Sequence, residues 1–236
     1  MKFAVVQFPG SNCDQDCLAA LDGIHGLEAE YVWHQENSLA GFDAIVLPGG
    51  FSYGDYLRCG AIARFSPIMP AVIADAQAGK LVIGICNGFQ ILCEAALLPG
   101  ALVRNRAQRF ICDIVTTRVE VPDSPFLHGC AEGALLRLPI AHGEGSFFAD
   151  DETLRRLNAN RQVMLRYVDE TGEATAAANP NGSRENIAGI SNAERNVFGL
   201  MPHPDRACDE RLGSGDGAVI FESMVDVIKM TRARAA

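Results

Sequence analysis

Cys86 stands in the stretch Gly84-Ile85-Cys86-Asn87-Gly88, where an unbroken apolar run, KLVIGIC, gives way to helical spacing in GFQILCEAALL. A cysteine on such a strand-to-helix turn is lifted above the carboxyl edge of a sheet, and small neighbours let the helix swing back close to its strand. The chemistry open to it is thiolate attack on a carbonyl, which needs a base for the proton and donors aimed at the oxyanion. The backbone N–H of Asn87, at the helix N-terminus, is one such donor. Pro48-Gly49-Gly50 ends a neighbouring apolar run, where residues without bulky side chains let a second N–H approach a substrate oxygen. For the base, His203 lies between Pro202 and Pro204 just past the apolar run NVFGLM, and Asp205 is placed to orient its ring. A buried cysteine also serves as a small apolar filler, and a Pro-Gly-Gly triplet is often an ordinary turn, so both readings of each stand at this point.

The other candidates carry less. His142, in AHGEGSF, has polar company and suits binding better than catalysis, while His25, His34 and His128 read as ordinary surface histidines. Cys13 and Cys17 are spaced for one helix face, but no third or fourth ligand at zinc-site spacing follows, so no metal is expected. Cys59, Cys93, Cys112, Cys130 and Cys208 lack flanking glycines and read as filler or surface thiols. The glycine-rich LGSGDGA lacks the Lys and Ser or Thr of a phosphate loop, so any nucleotide chemistry belongs elsewhere.

These residues must be positioned by a core, and composition provides for one. The chain has 236 residues, 48% of them hydrophobic, and a formal net charge of −9 with scattered lysines and arginines. That balance argues against nucleic acid as a direct partner. The opening KFAVVQF breaks at Pro9 and Gly10, too soon for a signal peptide or a membrane span, so a cytoplasmic setting with reduced thiols is expected for all eight cysteines. One domain over residues 1–236 is expected.

Along the chain, KFAVVQF, AEYVWH, FDAIVLPGG and KLVIGIC read as strands alternating with helices at DQDCLAALDGI, at AIARFSPIMPAVIADAQAG, which Pro67 and Pro70 should break or bend, and after Cys86. This succession predicts a three-layer α/β fold, a doubly wound and mostly parallel sheet with ligands at the carboxyl ends of its strands. RFICDIVTTRVEV, QVMLRYVDETGEA and NIAGISN alternate as antiparallel strands do, with NPNGSREN as a turn, so an antiparallel extension is expected in the second half. A last strand, NVFGLMPHP, and a helix, GAVIFESMVDVIKM, close it.

The order of the glycine pair in LPGGFSYGDYLRCGAIAR, Cys86 in GICNGFQ and His203 in MPHPDRA resembles that of class I, triad-type glutamine amidotransferases. FPGSNCDQD, RFICDIVTTRV, AHGEGSFF and NPNGSRENIAGI narrow the resemblance to the family of glutaminase subunits of phosphoribosylformylglycinamidine synthases, from about residue 3 to about residue 225. The resemblance implies that Cys86 attacks the side-chain amide of glutamine, that His203 shuttles protons, and that a glutamyl thioester forms. It further implies an oxyanion hole from the N–H groups of Gly50 and Asn87, and Gln90 beside the amino acid end of glutamine. The family pattern has Glu where this chain has the shorter Asp205. The implied partners are an ATP- and magnesium-dependent synthetase subunit that receives the ammonia and, in many relatives, a small bridging subunit; this chain itself would need no cofactor. FSYGDYLRCGAIAR and AHGEGSFF are the stretches expected to sense the synthetase or to shape the glutamine pocket.

Two other readings use the same residues. A cysteine hydrolase of the related fold commonly has histidine directly after its cysteine, where this chain has Asn87. A silent binding or thiol-sensing subunit would be expected to have lost Cys86, His203 or the glycine pair, and all are present.

Overall fold

The apolar run KFAVVQ forms β1 (Lys2–Gln7), four of whose residues are buried, and it leads into α1 (Asp14–Asp22). The chain then alternates through β2 (Glu28–Trp33), β3 (Ala44–Leu47), α2 (Met69–Gln77), β4 (Leu81–Ile85) and α3 (Asn87–Glu94). There follow β5 (Ala101–Val103), β6 (Ile111–Val119), β7 (Leu135–His142), β8 (Ser146–Phe148), α4 (Asp151–Ala159), β9 (Val163–Val168), β10 (Ile187–Ser191), β11 (Val197–Leu200) and α5 (Ala218–Ala235). The computed structural model describes residues 1–235.

One nine-stranded sheet runs through both halves of the chain in the order β2-β1-β3-β4-β11-β10-β9-β6-β7. The pairs from β2 to β11 are parallel, and those from β11 to β7 are antiparallel. The fold is thus the α/β sheet expected from the sequence, with its antiparallel extension. β3 and β4 are buried along their whole length, which is why they read as continuous apolar runs rather than as alternating ones. α1 packs on β1 and β2, and α3 on β3, β4 and β11.

Three details differ from the sequence reading. The expected break falls at Pro67, between the single turn Ala63–Phe65 and α2, but Pro70 does not bend a helix; it sits in the first turn of α2, where a missing N–H costs nothing. His34 is buried rather than on the surface, with Nδ1 2.8 Å from the Tyr53 hydroxyl. β7, with Pro139 inside it, and α4, capped by Asp150 accepting from the Thr153 N–H, carry elements that the sequence patterns left unread.

Candidate active site

Cys86 adopts φ 52° and ψ −104° between β4 and α3, a region that side-chain-bearing residues rarely enter. Holding it there costs on the order of 1–3 kcal/mol, which the surrounding structure must supply. Its N–H donates to the Leu200 carbonyl at 2.8 Å, and its carbonyl accepts from the Gln90 N–H at 3.2 Å. The flanking glycines are required by contact: a Cβ on Gly88 would lie 2.0 Å from the Leu47 carbonyl oxygen, and one on Gly84 2.7 Å from that of Gly88. The turn is therefore an elbow, as its sequence indicates. The Cys86 Sγ faces the Ala141 carbonyl at 3.8 Å.

His203 reaches this place because β11 lies beside β4 in parallel register, Leu200 opposite Ile85. Its ring is 1% exposed, and its Nδ1 faces both carboxylate oxygens of Asp205 at 3.3 and 3.4 Å. The shorter acid thus reaches the ring, at a distance longer than the 2.7–2.9 Å typical of a charge-assisted bond. The other nitrogen, Nε2, is buried without a hydrogen-bond partner. Burial opposes charge on this ring, but the Asp205 carboxylate and then the Cys86 sulfur outweigh it and hold the pKa up at about 10. The group is an imidazolium at neutral pH, able to give a proton to a leaving amine.

The Gly50 N–H, which donates to no backbone carbonyl among the described residues, lies in a segment with φ +140°. A Cβ there would press on the Asn12 nitrogen at 2.7 Å, so only glycine fits. The N–H of Asn87, at the start of α3, is equally uncommitted to a backbone carbonyl. Gly50, Cys86 and His203 line one pocket of about 110 Å³ with Asn12, Phe110 and Ala141, a space suited to a small polar side chain.

Phe51, Cys13 and Arg206 complete the wall of this pocket, and sequence reasoning missed the last two. An Arg206 nitrogen approaches the Cys13 Sγ at 3.1 Å, while burial pushes the Cys13 pKa up to about 12, so this second sulfur stays a thiol. Phe110 comes from a segment that strand pairing brings to Cys86 and carries no local signal, whereas Phe51 and Ala141 begin FSYGDYLRCGAIAR and AHGEGSFF, the stretches expected to shape the pocket.

The remaining sequence candidates lie close by but face elsewhere. Gln90 is buried outside the pocket lining: its Oε1 accepts from Asn87 at 2.8 Å and its Nε2 donates to the Glu144 carbonyl at 2.6 Å. His142, at the end of β7, is buried between the Asn105 and Asn181 carboxamides at 3.2 and 3.5 Å. Burial first, and the charge of His203 second, pull its pKa down to about 4, so it is neutral. Among the described residues no cluster of His, Cys, Asp or Glu is arranged to hold a metal ion. All eight cysteines are free, and among the described residues no helix is long and apolar enough to cross a membrane.

Residues 1–214 match the family described as the CobB/CobQ-like glutamine amidotransferase domain. The chain is 56% identical over 226 residues to the phosphoribosylformylglycinamidine synthase subunit PurQ of Moorella thermoacetica, covering 96% of each chain. It is 57% identical over 228 residues to the subunit of the same name from Methanosarcina barkeri, covering 97% of this chain and 98% of that one. Among solved structures, a chain of PurLQS from Thermotoga maritima superposes with a TM-score of 0.85 at 45% identity, over 96% of this chain and 98% of that one.

Proposed function

The chain belongs to the CobB/CobQ-like glutamine amidotransferase family, and from that premise we propose that it is the glutaminase subunit of a phosphoribosylformylglycinamidine synthase. The observation that carries this reading is the strained elbow of Cys86 sharing one pocket with His203, whose ring faces Asp205. With its proton held on His203, the Cys86 Sγ attacks the side-chain amide carbon of glutamine as the thiolate, and the developing oxyanion is met by the N–H groups of Gly50 and Asn87. The C–N bond breaks as the His203 imidazolium protonates the nitrogen, releasing ammonia and leaving a glutamyl thioester on Cys86. His203, now neutral, takes a proton from water, whose oxygen displaces the sulfur and yields glutamate. Asp205 keeps the ring in register. Gln90 is assigned to the amino acid end of glutamine through the Glu144 carbonyl that its Nε2 holds at 2.6 Å.

Ammonia released in water is protonated and lost to nucleophilic use. The proposed partner is therefore a synthetase subunit that binds ATP and magnesium, activates formylglycinamide ribonucleotide and takes up the ammonia, with a small bridging subunit in the assembly. The rim beside Gly50 supports docking of such a partner, since Tyr56 and Leu57 are 74% and 90% exposed on a segment with left-handed backbone at Tyr53, Asp55 and Leu57. This chain is proposed to act as one domain, without a cofactor of its own, in the cytoplasm.

The test is formation of formylglycinamidine ribonucleotide by the synthetase subunit with ATP, using glutamine or ammonium as nitrogen donor, with and without this chain. The expected result is glutamine use only when the chain is present, and none with Cys86→Ser, while ammonium serves throughout. Undiminished glutamine use by the Cys86→Ser complex would overturn the proposal.

A further inference from the structure

The two N–H groups assigned to the oxyanion come from different segments, one after β3 and one after β4. The β3–β4 ladder fixes their separation only as far as Leu47 opposite Gly84. Gly50 lies three residues beyond that last pair, in a segment whose backbone is left-handed at Gly50, Tyr53, Gly54 and Asp55. Such a segment keeps its shape only where neighbours impose it.

One neighbour is the side chain of Asn87. It is 0% exposed, and each of its four hydrogen-bonding positions is filled. Its Oδ1 accepts from the Ser52 N–H at 3.0 Å and from the Ser52 hydroxyl. Its Nδ2 donates to Asp55 Oδ1 at 3.2 Å and to Gln90 Oε1 at 2.8 Å, and Gln90 passes the connection on to the Glu144 carbonyl. The residue that follows the nucleophile thus offers its own N–H from the elbow and, through its carboxamide, grips the segment that carries the other N–H.

Resting on the glutaminase reading, we propose that the Asn87 carboxamide is a positioning group of the oxyanion hole: it sets the Gly50 N–H relative to Cys86 by holding Ser52. The group touches neither glutamine nor the sulfur. Its effect falls on the tetrahedral intermediate, so it changes turnover rather than glutamine affinity.

The test uses the complex with the synthetase subunit and compares Asn87→Ala, Ser52→Ala and the double variant. Three readouts are taken: glutamine-dependent kcat and KM, the ammonium-dependent rate, and alkylation of Cys86 by iodoacetamide, a displacement that forms no oxyanion. Asn87→Ala is expected to lower the glutamine kcat about 100-fold, the scale of losing one oxyanion donor. KM, the ammonium rate and the alkylation rate are expected to stay as in the parent. Ser52→Ala, which removes one of the two bonds to Oδ1, is expected to cost about tenfold, and the double variant no more than Asn87→Ala alone, because the two act in series. Unchanged kcat in both single variants overturns the proposal, as does a parallel loss of alkylation, which would locate the damage in the nucleophile. A parent complex that uses ammonium but not glutamine would instead refute the glutaminase reading itself.

Discussion

His203 and His142 are both buried and both lie at the rim of the same sheet, yet they are held in opposite charge states. His203 follows β11 in the parallel half and faces a carboxylate, which keeps it protonated against the cost of burial. His142 ends β7 in the antiparallel half and faces two carboxamides, which supply hydrogen bonds but no countercharge, so burial prevails. The difference assigns their tasks. A group that must deliver a proton needs a buried charge kept within reach; a group that must hold a loop needs a fixed neutral ring. His142 does the latter, since the Gly145 N–H donates to the same Asn105 oxygen that the ring faces, and a Cβ on Gly145 would lie 2.3 Å from the ring.

The sharpest way to break this contrast is to remove His203 or its carboxylate partner. His203→Ala is expected to lower glutamine-dependent kcat about 10⁴-fold, the upper range for loss of a general acid–base group. Asp205→Asn should cost less, about 100-fold, because the contact it removes is a long one at 3.3 and 3.4 Å. Steady-state rates of the two variants decide the matter, and equal losses would make Asp205 as indispensable as the ring it orients.

A second contrast is in acid and base stability. His142 titrates at about 4 when folded, against 6.5 for an unperturbed ring. The unfolded chain therefore binds a proton that the folded chain does not over that interval, and stability from this group is complete above pH 6.5 and declines as pH falls toward 4. The contribution is about 3 kcal/mol. For His203 the sign is reversed: its raised pKa stabilises the fold below pH 6.5, and that contribution is lost as pH rises toward about 10. Denaturant titrations across pH should show His142→Asn flattening the acid limb and His203→Asn the alkaline limb; an acid limb unaltered by His142→Asn would mean that the ring is not held neutral.

The smallest expected effect concerns the second sulfur of the pocket. Cys13 is kept as a thiol by burial, so Cys13→Ser should leave glutamine-dependent kcat within about threefold of the parent. A loss comparable with that of His203→Ala would give Cys13 a share in the chemistry.

The parallel half was the more legible part of the sequence. Its inner strands β3, β4 and β11 are buried along their length and so appear as uninterrupted apolar runs, and its elbow needs the glycines visible at Gly84 and Gly88. In the antiparallel half β7 alternates only weakly and contains Pro139, and α4 has a narrow apolar face formed by Leu154 and Leu157, so neither stands out locally. The same division runs through the site. Cys86, His203 and Asp205 were legible because turn chemistry and the flanking prolines mark them. Phe110, Cys13 and Arg206 became pocket walls only when distant segments met. Gln90 shows a limit of spacing: its place on α3 is legible, but the claims of Asn87 and Glu144 on its side chain are tertiary.

The central claim is that the elbow sulfur forms the covalent bond to the substrate, and the direct measurement is site-resolved mass spectrometry after reaction of the complex with a diazoketone analogue of glutamine. A single label per chain is expected, on Cys86, that glutamine prevents, that Cys86→Ser abolishes, and whose formation parallels the loss of glutamine-dependent turnover. A label on Cys13 or another residue, or full loss of turnover with Cys86 unmodified, would contradict it.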